Sequence, residues 1–208
     1  MRPTAGSDPV LLTTAFVLHV LSGALWTGAT LYVGYATLPR AADGTLGRDA
    51  FVDAAHPLLM ITRWTGVVLP VTGAYVIWTL YAPLGLLTAS VRGRAVLAML
   101  SLWGVMNGLV EVGVLRMRRE VDPGIGWGEY MAEGFPIDAL GDGGPTAERL
   151  AAVGRPYLLA SGGLAVLLLV DAALLVGGYS DVARSTALGR RALGRRRPCD
   201  PARFFNTL

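Results

Sequence analysis

Four long apolar runs, at 10–38, 57–82, 91–115 and 153–179, alternate along the chain with segments rich in glycine, proline and charge. Each run reaches the ~20 residues that a helix needs to cross a hydrocarbon layer of about 30 Å. The pattern predicts an all-α protein, a four-transmembrane-helix antiparallel bundle within residues 1–182, followed by a basic cytoplasmic tail, 183–208, that is expected to be disordered. Arg2 precedes the first run, as in a signal peptide, yet the apolar character outlasts the ~7–15 residues of such a segment. An uncleaved first helix is expected instead.

The connections differ in kind. "PLGLLTAS" is short, which makes the second and third helices antiparallel neighbours. "PRAADGTLGRDAFVDAAH" (39–56) reads as a surface segment with Gly44 and Gly47 as breakers and a short helical pattern in Phe51, Val52 and Ala55. It leads into a second helix expected to begin at Pro57, since proline needs no backbone donor in a first turn. The third connection, 116–152, carries Trp127, Tyr130 and Phe135, rings suited to the headgroup region, and is expected to lie on the membrane surface as a lid. Small residues recur within the spans, among them Gly23, Gly28, Gly34, Gly66, Gly73 and Gly162, and predict close helix packing there.

Composition agrees with the pattern: 53% of the 208 residues are hydrophobic and 16% charged, well short of the charged quarter of soluble domains. The lipid bilayer is thus the first partner. All 18 basic residues are arginine. Arg92 and Arg94 occupy the second connection and Arg184, Arg190, Arg191 and Arg195 begin a basic C-terminal stretch, so the positive-inside rule puts both termini in the cytoplasm of a cell membrane. Arg116, Arg118 and Arg119 at the end of the third helix oppose that orientation. The tail arginines are explained by topology, and no nucleic-acid partner is expected. The single cysteine, Cys199, allows neither an intrachain disulfide nor a paired-cysteine metal site.

Ionisable groups in hydrocarbon cost roughly 2.5–3.5 kcal/mol at a helix centre, so each needs a partner or a role. A rise of about 1.5 Å per residue assigns depths. His19 and Asp171 fall in the same half of the membrane, with Met99, Trp103, Thr72 and Tyr75 at similar depth, and Met99 or Met106 is a thioether that joins His19 and Asp171 in a candidate metal site. Arg63 and Glu111 both lie near the outer boundary and are expected to form a structural ion pair, with Asn107 one turn below Glu111. His56 and Met60, one turn apart, make a second candidate pair at the outer mouth, of a kind that Cu(I) accepts. His19 and His56 should be ~25 Å or more apart along the membrane normal, which argues against bis-histidine haem ligation. His19, Ser22, Gly23, Trp26 and Thr30 repeat at helical spacing, so one face of the first helix should turn inward.

The segment "LHVLSGALWTGATLYVGYATLP", with His19, Trp26, Gly28 and Tyr32, resembles the first helix of the copper resistance D (CopD) family, and "RWTGVVLPVTGAYVI" resembles that family's Arg-led second span. The resemblance implies copper transport or handling at the cytoplasmic membrane, and His19, Trp26, Gly28 and Arg63 are the positions that match; Trp26 and Gly28 are taken as helix-packing residues. "TLPR" (37–40) is similar to a pattern of the HemJ-type membrane proteins, which implies haem b or porphyrin chemistry with His19 as a single axial ligand. The lysine of that pattern's third helix has no counterpart here. A third expectation is a non-catalytic accessory or scaffold membrane protein in which His19 hydrogen-bonds Asp171. No nucleophile triad, phosphate loop or zinc motif supports an enzyme. A homodimer would enclose a path that four helices leave open.

Overall fold

The structure, a computed structural model, describes residues 8–81, 84–141 and 143–194, and their side chains except at 81, 86 and 176–194. Every regular element among the described residues is helical. Four of them are long: α1 (Pro9–Ala42), α2 (Arg48–Tyr81), α4 (Val91–Val121) and α6 (Ala147–Gly194), with the short α3 (Leu86–Ala89) and α5 (Trp127–Glu133) in the second and third connections. Two compact units meet in sequence at Val170: Met1–Leu169, which holds the helical bundle, and Val170–Leu208.

Local chemistry sets the helix starts. Asp8 caps α1, its carboxylate accepting from the Val10 N–H at 2.9 Å, with Pro9 in the first turn. Ser90 caps α4 in the same way, accepting from the Gly93 N–H at 2.9 Å. Within α1, Tyr32–Thr37 is wound as a π-helix.

All four long helices contain spans long and apolar enough to cross a bilayer, and the chain is a multi-pass membrane protein. The spans run to 34, 33, 31 and 29 residues, about 44–51 Å at 1.5 Å per residue against a hydrocarbon layer of about 30 Å. The excess gathers where α1 and α4 end and α2 and α6 begin. There a protein core forms around Phe51, Leu58, Val114, Tyr130, Phe135 and Leu150, all completely buried or nearly so. A smaller core of Trp26, Leu69, Met106 and Ala165 lies deeper. Beyond it the helices turn large apolar side chains such as Val17, Leu21, Val71, Leu100 and Leu167 outward, the surface that lipid solvates.

Four expected helix ends are corrected. The second helix begins at Arg48, not at Pro57, and both Pro57 and Pro70 lie inside it. The helix continues through Pro57 because Phe51, Val52 and Ala55 are buried against the cap core, and that burial outweighs one lost backbone hydrogen bond. For the same reason α4 runs to Val121 and α6 starts at Ala147, where Leu150 and Ala151 join that core. At its other end α6 reaches Gly194, because 180–194 offers alanine, leucine and arginine and no proline. The remainder of the expected tail, 195–208, with Cys199, lies outside the described residues.

Glycines permit the closest approaches. A Cβ at Gly113 would stand 2.8 Å from the Tyr157 Cβ, one at Gly154 2.6 Å from the Met117 sulfur, and one at Gly34 3.3 Å from the Leu158 carbonyl oxygen. Backbones of α4 and α6, and of α1 and α6, are thereby brought together. Gly28 does not serve this purpose: a Cβ there would meet nothing within 4 Å, so the packing role expected of it is not seen, and Gly104, Gly108 and Gly163 are equally open.

Candidate functional site

Below the cap core, α2 and α4 present opposite charges at one level. Arg63 Nε donates to Glu111 Oε1 at 3.2 Å, both side chains being more than four-fifths buried. Asn107, one turn before Glu111, donates from Nδ2 to the Thr62 carbonyl at 3.4 Å. The pair expected from depth counting is therefore present, and it has a third member. Tyr130 of α5, completely buried, donates its hydroxyl to Glu111 Oε2 at 3.0 Å. The guanidinium of Arg63 closes the loop: Nη1 donates to the Met131 carbonyl at 2.8 Å and Nη2 to the Tyr130 carbonyl at 3.1 Å, and its carbon lies 5.0 Å from the centre of the Tyr130 ring. Each buried charge thus meets hydrogen-bond partners, as the low local dielectric demands. Burial, and then the adjacent Glu111 charge, push the Tyr130 phenol well above its ordinary range.

The cluster fastens α5 of the third connection to α2 and α4. This two-turn helix ends at Gly134, whose φ of +73° is a conformation that favours glycine. This turn brings the chain against α2. A Cβ at Gly134 would lie 3.0 Å from Met60 Cε, 3.2 Å from Leu59 Cδ2 and 3.4 Å from His56 Cε1. His56 and Met60 therefore converge on one backbone position. The Nδ1 of His56 is buried and has no hydrogen-bond partner among the described residues. Seven residues after Glu111, Arg118 is buried on α4 with its Nη2 3.5 Å from Glu133 Oε2 on α5, a second tie between these helices.

The deeper residues are arranged differently. His19 Nδ1 stands 2.9 Å from Thr72 Oγ1, whose own hydroxyl donates to the Val68 carbonyl at 2.7 Å. The imidazole also lies on Gly73, where a Cβ would come within 3.2 Å of Cε1. Trp26 is completely buried, donating from Nε1 to Thr62 Oγ1 at 3.0 Å and meeting Trp103 edge to face at 6.4 Å. Met106 is completely buried in the small core with Trp26, Leu69 and Ala165. Met99 is half-buried, seven positions earlier on α4, hence about 10 Å away along the helix. Asp171 belongs to the second unit, on α6. The partner found for His19 is thus a hydroxyl on α2.

Among the described residues no three of His, Cys, Asp and Glu gather as a metal would require. The donors that do converge are one imidazole and one thioether. Sequence counting found Arg63 with Glu111 and His56 with Met60, but it missed Tyr130 as the third member of the ion cluster and Gly134 as the turn that covers the pair. The signal for Gly134 was a glycine directly after the "WGEYMAE" helix, where a residue free to take positive φ ends the helix.

No family model matches the chain, and neither curated proteins nor solved structures include a match to it.

Proposed function

We propose that this multi-pass protein is CopD-like and handles copper at the cytoplasmic membrane, with Cu(I) as its substrate and His56 and Met60 as the residues that receive it. Both termini are then cytoplasmic, and the cap that contains α5 faces outward, by the charge distribution of the second connection and the tail. The observation that carries this is the convergence of the His56 and Met60 side chains on Gly134, with His56 Nδ1 buried and without a hydrogen-bond partner among the described residues. A buried nitrogen left unpaired costs about 1–3 kcal/mol unless something binds it. A thioether beside an imidazole selects a soft monovalent ion over zinc, calcium or magnesium, which prefer thiolate, carboxylate or carbonyl donors.

His19 is held in orientation by α2, its Nδ1 hydrogen-bonded to Thr72 and its ring resting on Gly73, whereas the His56 Nδ1 is left unpaired among the described residues beside a thioether.

The test is a Cu(I) titration of purified protein under reducing conditions against a chromophoric chelator. Wild type should compete for one equivalent, and His56→Ala and Met60→Leu should each lose that competition, whereas His19→Ala should keep it. Equal competition by all four proteins, or none by wild type, contradicts the proposal.

A further inference from the structure

Where α1 leaves the membrane a groove of about 410 Å³ runs between it and α6, lined by Gly34, Tyr35, Leu38 and Pro39 on one side and Arg155 and Leu159 on the other, with Asp43 at its end. Its floor is made by the close approach of the two backbones at Gly34 and Leu158. Polarity is graded along its length. The helices are antiparallel, so Leu159 and Tyr35 lie toward the membrane interior, and Arg155, one turn before Leu159, lies toward the loops.

The groove sits at the level where a bilayer changes character. Tyr32 and Tyr35 expose 63% and 55% of their surface just beyond the apolar part of α1, as rings do in the interfacial belt. Arg155 is exposed, lies within the apolar span Ala147–Leu175, and has neither an ion pair nor a hydrogen bond among the described residues. Asp43, at the end of the groove, turns Oδ1 to Thr45, accepting from its N–H at 2.9 Å and its hydroxyl at 2.7 Å, and is not ion-paired with Arg155 among the described residues. An unpaired guanidinium above an apolar trough matches one molecule that every bilayer supplies, a phosphate carrying an acyl chain.

We propose that this groove holds a bilayer phospholipid, with its phosphodiester on Arg155 and the start of an acyl chain against Tyr35, Leu38 and Leu159. A lipid so held lies over the contact of α1 with α6, beside the π-helical turn. The site is separate from the His56 and Met60 pair, and it stands or falls independently of copper.

Native mass spectrometry of the detergent-purified chain tests this with two probes that share their acyl chains, dioleoyl phosphatidylglycerol and dioleoylglycerol. The phosphatidylglycerol adduct should survive on wild type and on Arg116→Gln, an exposed arginine of α4 outside the groove. It should fall about fivefold on Arg155→Gln, the size expected of one arginine at an anionic lipid surface, while dioleoylglycerol shows no such difference. Millimolar inorganic phosphate should not displace the lipid. Equal adducts on wild type and Arg155→Gln, equal retention of the two probes, or displacement by inorganic phosphate would each overturn the assignment.

Discussion

The hydroxyl of Tyr130 donates to Glu111 Oε2 at 3.0 Å, while the carboxylate's other oxygen accepts from Arg63. One buried carboxylate on α4 therefore holds both a neighbouring helix and the covering segment. Loss of the phenol alone should loosen the cover and leave the helices in place. Tyr130→Phe is expected to lower stability by about 1.5–3 kcal/mol, the worth of a hydrogen bond to a charged group. Thermal unfolding in detergent checks this, together with faster proteolysis of the 122–146 connection in the variant.

The same phenol gives a pH dependence with a defined sign. Its folded-state pKa is raised above the ordinary 10.0 by burial and by Glu111, so the neutral form is the one that the fold favours. That contribution is complete below the ordinary value and is lost as pH rises above it, because the unfolded chain then releases a proton that the folded one retains. Unfolding midpoints measured across the alkaline range should decline in wild type. They should decline less steeply in Tyr130→Phe.

Removal of one member of the Arg63 and Glu111 pair leaves the other charge buried. Arg63→Ala and Glu111→Ala should each cost several kcal/mol, toward the ~3–5 kcal/mol seen for broken buried pairs, and the double variant should cost less than the sum. A double-mutant cycle on thermal or denaturant unfolding measures the coupling. Additive losses would mean that the two groups do not interact.

Much of this architecture was legible before any coordinates. The four spans follow from run length, and counting 1.5 Å per residue put His19 level with Thr72 and Arg63 level with Glu111 because antiparallel helices share one ruler. The starts of α1 and α4 were legible to within a residue, but those of α2 and α6 were not. Between Arg48 and His56 only Phe51, Val52 and Ala55 are strongly buried, a stripe too sparse to register as a span, and Pro57 looked like a beginning. Packing against the cap core, a tertiary effect, carries the helix through it. Tyr130 was placed at the headgroups for its ring, since nothing local in "GIGWGEYMAEGFP" says that a carboxylate on α4 awaits its hydroxyl.

Glycine positions separate by what lies opposite. Gly113→Ala should destabilise by about 1–3 kcal/mol, because the new methyl meets the Tyr157 Cβ, which is tied to the backbone and cannot swing away. Gly28→Ala should be neutral or stabilise by up to ~1 kcal/mol, since its methyl meets nothing and alanine favours helix. Paired thermal melts decide the matter, and equal effects would mean that the α4 and α6 contact is looser than described.

Copper capture by His56 and Met60 is tested most directly by X-ray absorption at the copper edge on Cu(I)-loaded protein. Sulfur and imidazole scattering are expected together in wild type, with the sulfur lost in Met60→Leu and the imidazole lost in His56→Ala. A copper environment without sulfur, or one that neither substitution alters, would contradict the site.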